Sequence, residues 1–382
     1  MVTVTARPRP GHPWVFSNEI VSPPVISLPV GGAVEVRDPS GKFLGRGYAN
    51  PHSLISVRLF AGPEESPDAP GLFVKRGERA LALRERVCPG RRSYRLVAGE
   101  ADGLPGLIVD RYEGVLSVQV TSLGMEQRRP LVRAALEAVI APSGVVFRGD
   151  VKLRELEGLP LERGPWWGEV PPRVPFEENG VRYEVDLVEG QKTGFFFDQA
   201  ENRAWMAARC RGARVLDAYA HVGGWALAAM VHGAAEAVTL ESSGPANELI
   251  RHNAALNGVA VHAIEADARE AMLAMEASSF DIVCVDPPAF AKNRKSAGPA
   301  LHAYKVVNAA AARLVRPGGL LFTSSCSHHV DDDRFAEAVG AGARQAGRSL
   351  VRVRLGGQDA DHPVLPGVPE TAYLKHLVFV VR

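Results

Sequence analysis

VLDAYAHVGGWALAA, residues 215–229, is the stretch whose reading decides the fold. An apolar run closes on the carboxylate of Asp217, a short turn follows, and Gly223 and Gly224 open an Ala- and Leu-rich helical segment. The same rhythm continues in both directions. ENRAWMAARC (201–210) reads as a helix, AVTLESS (237–243) as a strand, and PANELIRHNAALNG (245–258) as a helix with Gly258 near its end. FDIVCVDPP (280–288) and GLLFTSSCS (319–327) are further strand-to-loop transitions. Strands alternating with helices imply a mainly parallel sheet covered on both faces. LVRVRLG (350–356) and TAYLKHLVFVVR (371–382) read as a closing antiparallel pair.

Ligands of an open α/β sheet bind beyond the carboxyl ends of its strands, so the residues that close each apolar run carry the functional reading. Gly223 and Gly224 allow a close backbone approach to a ligand or a tight helix contact; their spacing fails the dinucleotide GxGxxG pattern. Glu241 ends the next strand, where an acid can accept from both ribose hydroxyls or cap a helix. Asp267 is another strand-end acid with N-cap character. Asp286 closes FDIVCV and is followed by Pro287 and Pro288, which stiffen the loop; with Phe290 they suit a pocket for a flat, amide-like group such as a nucleobase. Cys284 lies inside that strand and reads as inert core. In EGQKTGFFFDQAENRAW (189–205), Gln191, Lys192, Thr193, Phe197 and Asp198 either line a cofactor or substrate channel or belong to a cover over the sheet.

Length and composition bound the rest. A chain of 382 residues predicts two or three domains. Its 46% apolar and 23% charged residues are those of a soluble protein, and no run approaches the length of a membrane span. The N-terminus lacks the apolar segment of a secretory signal, so a cytoplasmic protein is expected. The four cysteines are too far apart for a zinc or redox pair, and no metal is expected. Net charge is +1, yet residues 71–95 hold eight Lys or Arg against two Glu, which is either a solvated helix face or a phosphate-contacting surface.

Upstream, GGAVEVRD, FLGRGYA and LISVRLF suggest a small all-β module, and AGPEESPDAPG (61–71) a linker. LFVKRGERALALRERV reads as a helix burying Leu72, Leu81, Leu83 and Val87. Short strands around a helix at 125–139 predict an α+β middle domain, while GLPLERGPWWGEVPPRVPF promises little regular structure. The expected divisions are 1–68, 72–188 and 189–382.

GQKTGFFFDQAENR, DAYAHVGGW, LESS, NAALNG, DPPAF and SCSHHV stand in the order and spacing of one family, with HPWVFSNEI and EADGLPGLIVDRY further upstream. In these motifs the chain resembles the PUA-domain-containing, S-adenosylmethionine-dependent 23S ribosomal RNA (cytosine-C5) methyltransferases. The resemblance implies a PUA-like β barrel at the N-terminus, an α+β middle domain and a Rossmann-like α/β methyltransferase domain. It implies S-adenosylmethionine as cofactor. Asp217, Tyr219, Gly223 and Gly224 would surround the methionine part of the donor, Glu241 would hold the ribose, and Asp267 would lie by the adenine. Asp286 would stand between donor and target base, and Cys326 matches the catalytic cysteine. Two departures fall in the donor loop: His221-Val222 stands where the family has Tyr-Thr, and Glu241 where Asp is common. The implied partner is 23S ribosomal RNA or a partly assembled large subunit, with a homodimer left open and no membrane.

The chemistry explains why a thiol is needed. C5 of a pyrimidine is a poor nucleophile until a thiolate adds to C6, after which C5 takes the methyl group, a base removes its proton and the thiol is eliminated. A carboxylate near N3, for which Asp286 is the candidate, holds the proton that favours addition. Pro287, Pro288, Phe290, Lys292, Arg294 and Lys295 are the candidate RNA contacts. His328 or His329 could relay a proton or form a surface turn. Uracil C5, a guanine exocyclic amine and a non-catalytic RNA-binding or assembly role stay open as alternatives.

Overall fold

Alternation of apolar and charged residues builds the N-terminal strands. In Ala33–Arg37 the side chains of Val34 and Val36 are buried while Glu35 and Arg37 face outward, the signature of a sheet with one face on a core. Strands β1 (Val2–Ala6), β2 (Trp14–Phe16), β3 (Ile20–Ser22), β4 (Ala33–Arg37), β5 (Phe43–Ala49) and β6 (Ile55–Ala61) form a six-stranded sheet of order β2-β6-β5-β4-β1-β3. Its core is Val4, Ala6, Val15, Val34, Val36 and Val57 with neighbouring apolar residues.

This computed structural model describes residues 1–190, 193–291 and 293–382, with Arg294 known by its backbone alone. The chain forms two units. One comprises Met1–Phe176, Asp186–Phe195 and Ala360–Thr371; the other comprises Glu177–Val185, Phe196–Asp359 and Ala372–Arg382.

Besides the N-terminal sheet, the first unit contains a five-stranded sheet of order β11-β10-β9-β8-β7, from β7 (Ser93–Ala98), β8 (Leu107–Tyr112), β9 (Val115–Val120), β10 (Gly144–Arg148) and β11 (Arg163–Gly168). Helices α1 (Pro70–Val87), α2 (Leu123–Gln127) and α3 (Arg129–Val139) share its core. The expected irregular stretch around Trp166 and Trp167 is therefore partly strand, paired antiparallel with β10. Its glycines and prolines sit where a bulge shifts the register between Val145 and Val146. Trp166 and Trp167 pack on this core with Arg129 and Arg133 over their rings, at 4.8 and 5.0 Å from the centroids.

The face of α1 differs from expectation. Its buried residues are Leu72, Phe73, Ala80 and Arg84, and Val87 at its last position is 37% exposed. Arg84 is fully buried: Nη2 donates to Asp102 Oδ2 at 2.8 Å and to the Asp361 carbonyl at 2.8 Å, and Nε donates to the Arg95 carbonyl. Lys75 and Arg76 pair with Glu65, Arg92 with Glu113, and Arg95 with buried Asp110. Lys75, Arg76, Arg84, Arg92 and Arg95 thus pair with acids of their own unit.

The second unit is the α/β part. After the hairpin of β12 (Val174–Glu178) and β13 (Val181–Val185), α4 (Ala200–Ala207) leads into a seven-stranded sheet of order β16-β15-β14-β17-β18-β20-β19. Its strands are β14 (Arg214–Ala218), β15 (Glu236–Glu241), β16 (His262–Glu265), β17 (Phe280–Val285), β18 (Val315–Ser325), β19 (Leu350–Gly356) and β20 (Lys375–Val381). Helices α5 (Gly224–Val231), α6 (Gly244–Leu256), α7 (Ala268–Ala274), α8 (Ala297–Leu314) and α9 (Asp332–Gln345) connect them. β14 pairs in parallel with both β15 and β17, so the strand order reverses at β14, where a crevice opens in such sheets. β20 enters antiparallel to both β18 and β19, the expected closing pair.

Removing one partner of a buried ion pair costs about 3 to 5 kcal/mol. Arg84→Met is expected to lower the unfolding free energy by about that much in chemical denaturation, whereas exposed Arg79→Ala is expected to change it by less than about 0.5 kcal/mol. Equal effects of the two would refute the structural role of Arg84.

Candidate functional site

Four strands end on the same rim of the second unit. β14 delivers Asp217, β15 Glu241, β17 Asp286 immediately after its last residue, and β18 Cys326 immediately after Ser325. Because β14, β17 and β18 are consecutive neighbours in parallel register, the chain direction alone brings their carboxyl ends together.

The turn after β14 is strained. Tyr219 and His221 have φ values of 66° and 52°, the left-handed region that side chains disfavour. Glu241 fixes it: Oε2 accepts from the His221 amide at 2.9 Å, and Oε1 accepts from the Ser243 amide at 2.9 Å. Gly223, with φ of 84°, is the residue before α5, and a Cβ there would meet Leu227 and Ile250 at 3.3–3.4 Å.

Asp217 is fully buried. Its Oδ2 accepts from the Ala226 amide at 3.0 Å at the start of α5, while Oδ1 accepts no hydrogen bond among the described residues. Burial, followed by the charge of Asp286, pushes its carboxyl up to about 7 against the bonds from Ala226 and Trp225. Asp286 is likewise pushed up to about 6, by burial first and then by the charge of Asp198, with Arg203 and hydrogen bonds from Trp225 and Gln199 opposing.

Gln199, which sequence reasoning passed over, joins two strand ends. Its Nε2 donates to Asp286 Oδ2 at 3.0 Å and to Ser324 Oγ at 2.9 Å, and its Oε1 accepts from Asn202. Ser324 Oγ also lies 2.9 Å from Nδ1 of buried His376, whose ring stacks on Trp225. Burial, then Arg354, pushes His376 down to about 3, so the ring is neutral at physiological pH. Asp198 is buried and accepts from the Tyr373 hydroxyl at 2.6 Å. Of the three phenylalanines, Phe195 and Phe197 are core; Phe196 is half-buried, its ring 5.1 Å from that of His221.

Cys326 is the one cysteine of the four that is partly exposed; Cys88, Cys210 and Cys284 are buried. Below it, Tyr304 on α8 holds Ser325 Oγ and Ser327 Oγ at 2.8 and 2.9 Å, and Ser327 Oγ accepts from the Ala291 amide. The loop after Asp286 is thereby tied to the Cys326 turn. Phe290 packs its ring on Tyr304 at 4.8 Å, so it supports this turn from the core side. Pro287 is buried and Pro288 exposed. His328 and His329 are exposed, as a surface turn requires.

The remaining sequence candidates divide. Tyr219 is half-buried, its hydroxyl pushed up to about 12 by burial and then by the charge of Asp267. Asp267 is exposed and caps α7, accepting from the Glu270 amide at 2.9 Å. Thr193 is buried and belongs to the first unit. Lys295 is exposed. Gln191, Lys192 and Lys292 lie outside the described residues, as does the side chain of Arg294. Among the described residues, no cluster could hold a metal ion, and no helix is long and apolar enough to cross a membrane.

A family model described as S-adenosylmethionine-dependent methyltransferase matches residues 102–380, and one for a PUA-like domain matches residues 4–61. The protein called ribosomal RNA large subunit methyltransferase I of Photobacterium profundum is 37% identical over 382 residues, 98% of this chain and 96% of its own. Its namesake from Shewanella denitrificans is 37% identical over 375 residues, 96% of this chain and 94% of its own. Among solved structures, SMU.776 complexed with SAH superposes with a TM-score of 0.83 over 100% of both chains at 19% identity. The M. jannaschii tRNA m1G37 methyltransferase gives 0.51 over 72% of this chain and 76% of its own, at 19% identity. These two similarities carry the fold.

A carboxyl raised from 3.8 to about 7 costs the folded state on the order of 4 kcal/mol once ionised. Its contribution is fully present below about pH 4 and is lost as pH rises through about 7. Asp217→Asn is therefore expected to unfold at a higher temperature than the parent at pH 8 and to lose that advantage near pH 4, measured by thermal melts across pH. Parallel melting curves for the two proteins would refute the raised carboxyl.

Proposed function

The chain belongs to the S-adenosylmethionine-dependent methyltransferase family, and we propose that within it the protein methylates C5 of a cytosine in large-subunit (23S) ribosomal RNA through a Cys326 adduct at C6. The observation that carries this reading is the partly exposed Cys326 at the end of β18, on the rim that Asp217 and Asp286 share. An exocyclic-amine transferase would need the Asp-Pro-Pro loop but no thiol at that place.

The rim fits the donor. A buried carboxyl whose Oδ1 accepts no hydrogen bond among the described residues gains from a cation, and S-adenosylmethionine carries both an ammonium and a sulfonium. When bound it supplies an electrophilic methyl group. Asp217, Tyr219, Gly223 and Gly224 would hold its methionine end, Glu241 its ribose and Asp267 its adenine edge; Asp198 and Phe197, with Gln191, Lys192 and Thr193, complete the proposed donor set.

This chain's residues then act on the base. The Cys326 thiolate adds to C6, which puts an electron pair on the ring and makes C5 nucleophilic. Asp286, raised toward neutrality by burial and Asp198, holds a proton at N3 while the adduct forms. Loss of the C5 proton returns the electron pair, and the thiolate leaves. The base must be flipped out of its helix to reach this recessed rim. Pro287, Pro288 and Phe290 shape the loop that receives it, and Lys292, Arg294 and Lys295 hold the backbone. Residues 1–68, closing as a PUA-like barrel, and 72–188 position the RNA, bare or in a partly assembled subunit.

Cys326→Ala, assayed with labelled donor and ribosomal RNA, is expected to lower C5 methylation on the order of 10³-fold or more while calorimetry finds donor binding retained. C5-methylcytosine formed at the parent rate would sink the covalent mechanism.

A further inference from the structure

β20 runs antiparallel to β18, with Ser325 opposite Lys375 and Ser324 opposite His376. Side chains alternate faces along a strand, so His376 joins the Gln199 network while Lys375 goes to the face of Tyr304 and Ser325. Lys375 is 6% exposed, unusual for a lysine. Its Nζ donates to the Ser327 carbonyl at 2.8 Å. The backbone register at Ser325 and this bond at Ser327 bracket the one residue between them, Cys326.

We propose that Lys375 is a positioning residue for the reaction, a buried ammonium that holds the Cys326 sulfur as thiolate and fixes the turn that presents it. This deepens, and rests on, the reading of Cys326 as the nucleophile. Lys375 keeps its three protons throughout. The thiol loses its proton to solvent before addition, the sulfur electron pair forms the bond to C6, and elimination returns that pair to a sulfur still facing the same positive charge. A cation beside a thiol lowers its pKa and makes it a better leaving group.

Among the described residues, the other charged groups that act on the ammonium are Asp331 and Asp332 at the start of α9, while the Tyr304 hydroxyl on α8 meets the neighbouring Ser325 and Ser327. Burial pulls Lys375 below the ordinary lysine range, while Asp332, Cys326 and Asp331, in that order, hold its charge in place. Tyr304 is pushed up by burial and also by the Cys326 charge, so the hydroxyl stays neutral, accepting from Ser325 Oγ and sharing a hydrogen bond with Ser327 Oγ, and is no rival anion. A buried lysine opposite a structural thiol would be a poor use of a charge, because an aliphatic side chain would pack there at less cost.

The test reads the thiol without RNA or donor. The full-length protein, Lys375→Met and Lys375→Arg are alkylated with iodoacetamide across pH, and the Cys326 peptide is quantified by mass spectrometry; Cys326→Ala supplies the blank. The parent is expected to titrate below the ordinary thiol value of about 8.5, and Lys375→Met about one unit higher, alkylating several-fold more slowly near pH 7. Lys375→Arg, which keeps the charge, is expected to stay near the parent, and its retained fold keeps the comparison valid if the Met variant unfolds. Superimposed profiles for parent and Met variant, or an Arg variant that titrates as high as Met, would overturn the proposal. Methylation retained in Cys326→Ala would instead remove the nucleophile reading, and the alkylation profiles would still judge the pairing of Lys375 with Cys326.

Discussion

One carboxylate sets the geometry of the crevice. Glu241 accepts the amides of His221 and Ser243, and through the first it holds a turn that places two non-glycine residues in the left-handed region. Such conformations cost on the order of 1 to 3 kcal/mol each and persist only where the surroundings impose them; charge-assisted bonds to backbone amides are of a size to offset that. Once the turn is held, α5 starts with the Ala226 amide aimed at Asp217, and the buried carboxyl gains backbone donors at the start of that helix. The departure from Asp to Glu at 241 has a use here, since the longer side chain spans from the end of β15 to the turn after β14.

A second layer ties the rim together sideways. Gln199 bonds both Asp286 and Ser324, Ser324 meets His376, and His376 stacks on Trp225, whose indole also reaches Asp286. The ends of β17, β18 and β20 are thus connected through side chains that lack full charge, apart from Asp286 itself. A neutral His376 matters in this ring, because a cation there would compete with the amide of Gln199 for Asp286. Burial, then Arg354, pushes it down to about 3 and so keeps it neutral at physiological pH.

Strand ends were legible because an apolar run that stops at a polar residue announces both the strand and the rim. Asp217, Glu241, Asp286 and Cys326 were each read that way, and the parallel order brings them together. Gln199, Ser324, Lys375 and His376 were not, for a common reason: their roles depend on which residue lies opposite. The register of an antiparallel strand entering from the far end of the chain is carried by no local pattern, so KHLVFVV announces a strand without saying that Lys375 meets the Ser327 carbonyl and His376 meets Ser324. The basic stretch at 71–95 left its two readings open for a related reason. Its charge was plain, but Glu65, Asp102, Glu113 and Asp110, which absorb much of it, lie on other elements.

At the donor position proposed above, the acid rim would also give direction to the exchange of donor for product. Asp217 is raised by burial and then by the charge of Asp286, and Asp286 by burial and then by the charge of Asp198, with Arg203, already committed to Glu178, relieving only part of it. A cation entering such a site lets the acids ionise at lower pH and gains affinity from every carboxylate it faces. Methyl transfer converts a sulfonium into an uncharged thioether, so the product forfeits that part of the attraction while the repulsion among the acids returns. The crowded carboxyls would thereby favour the charged donor over the spent one.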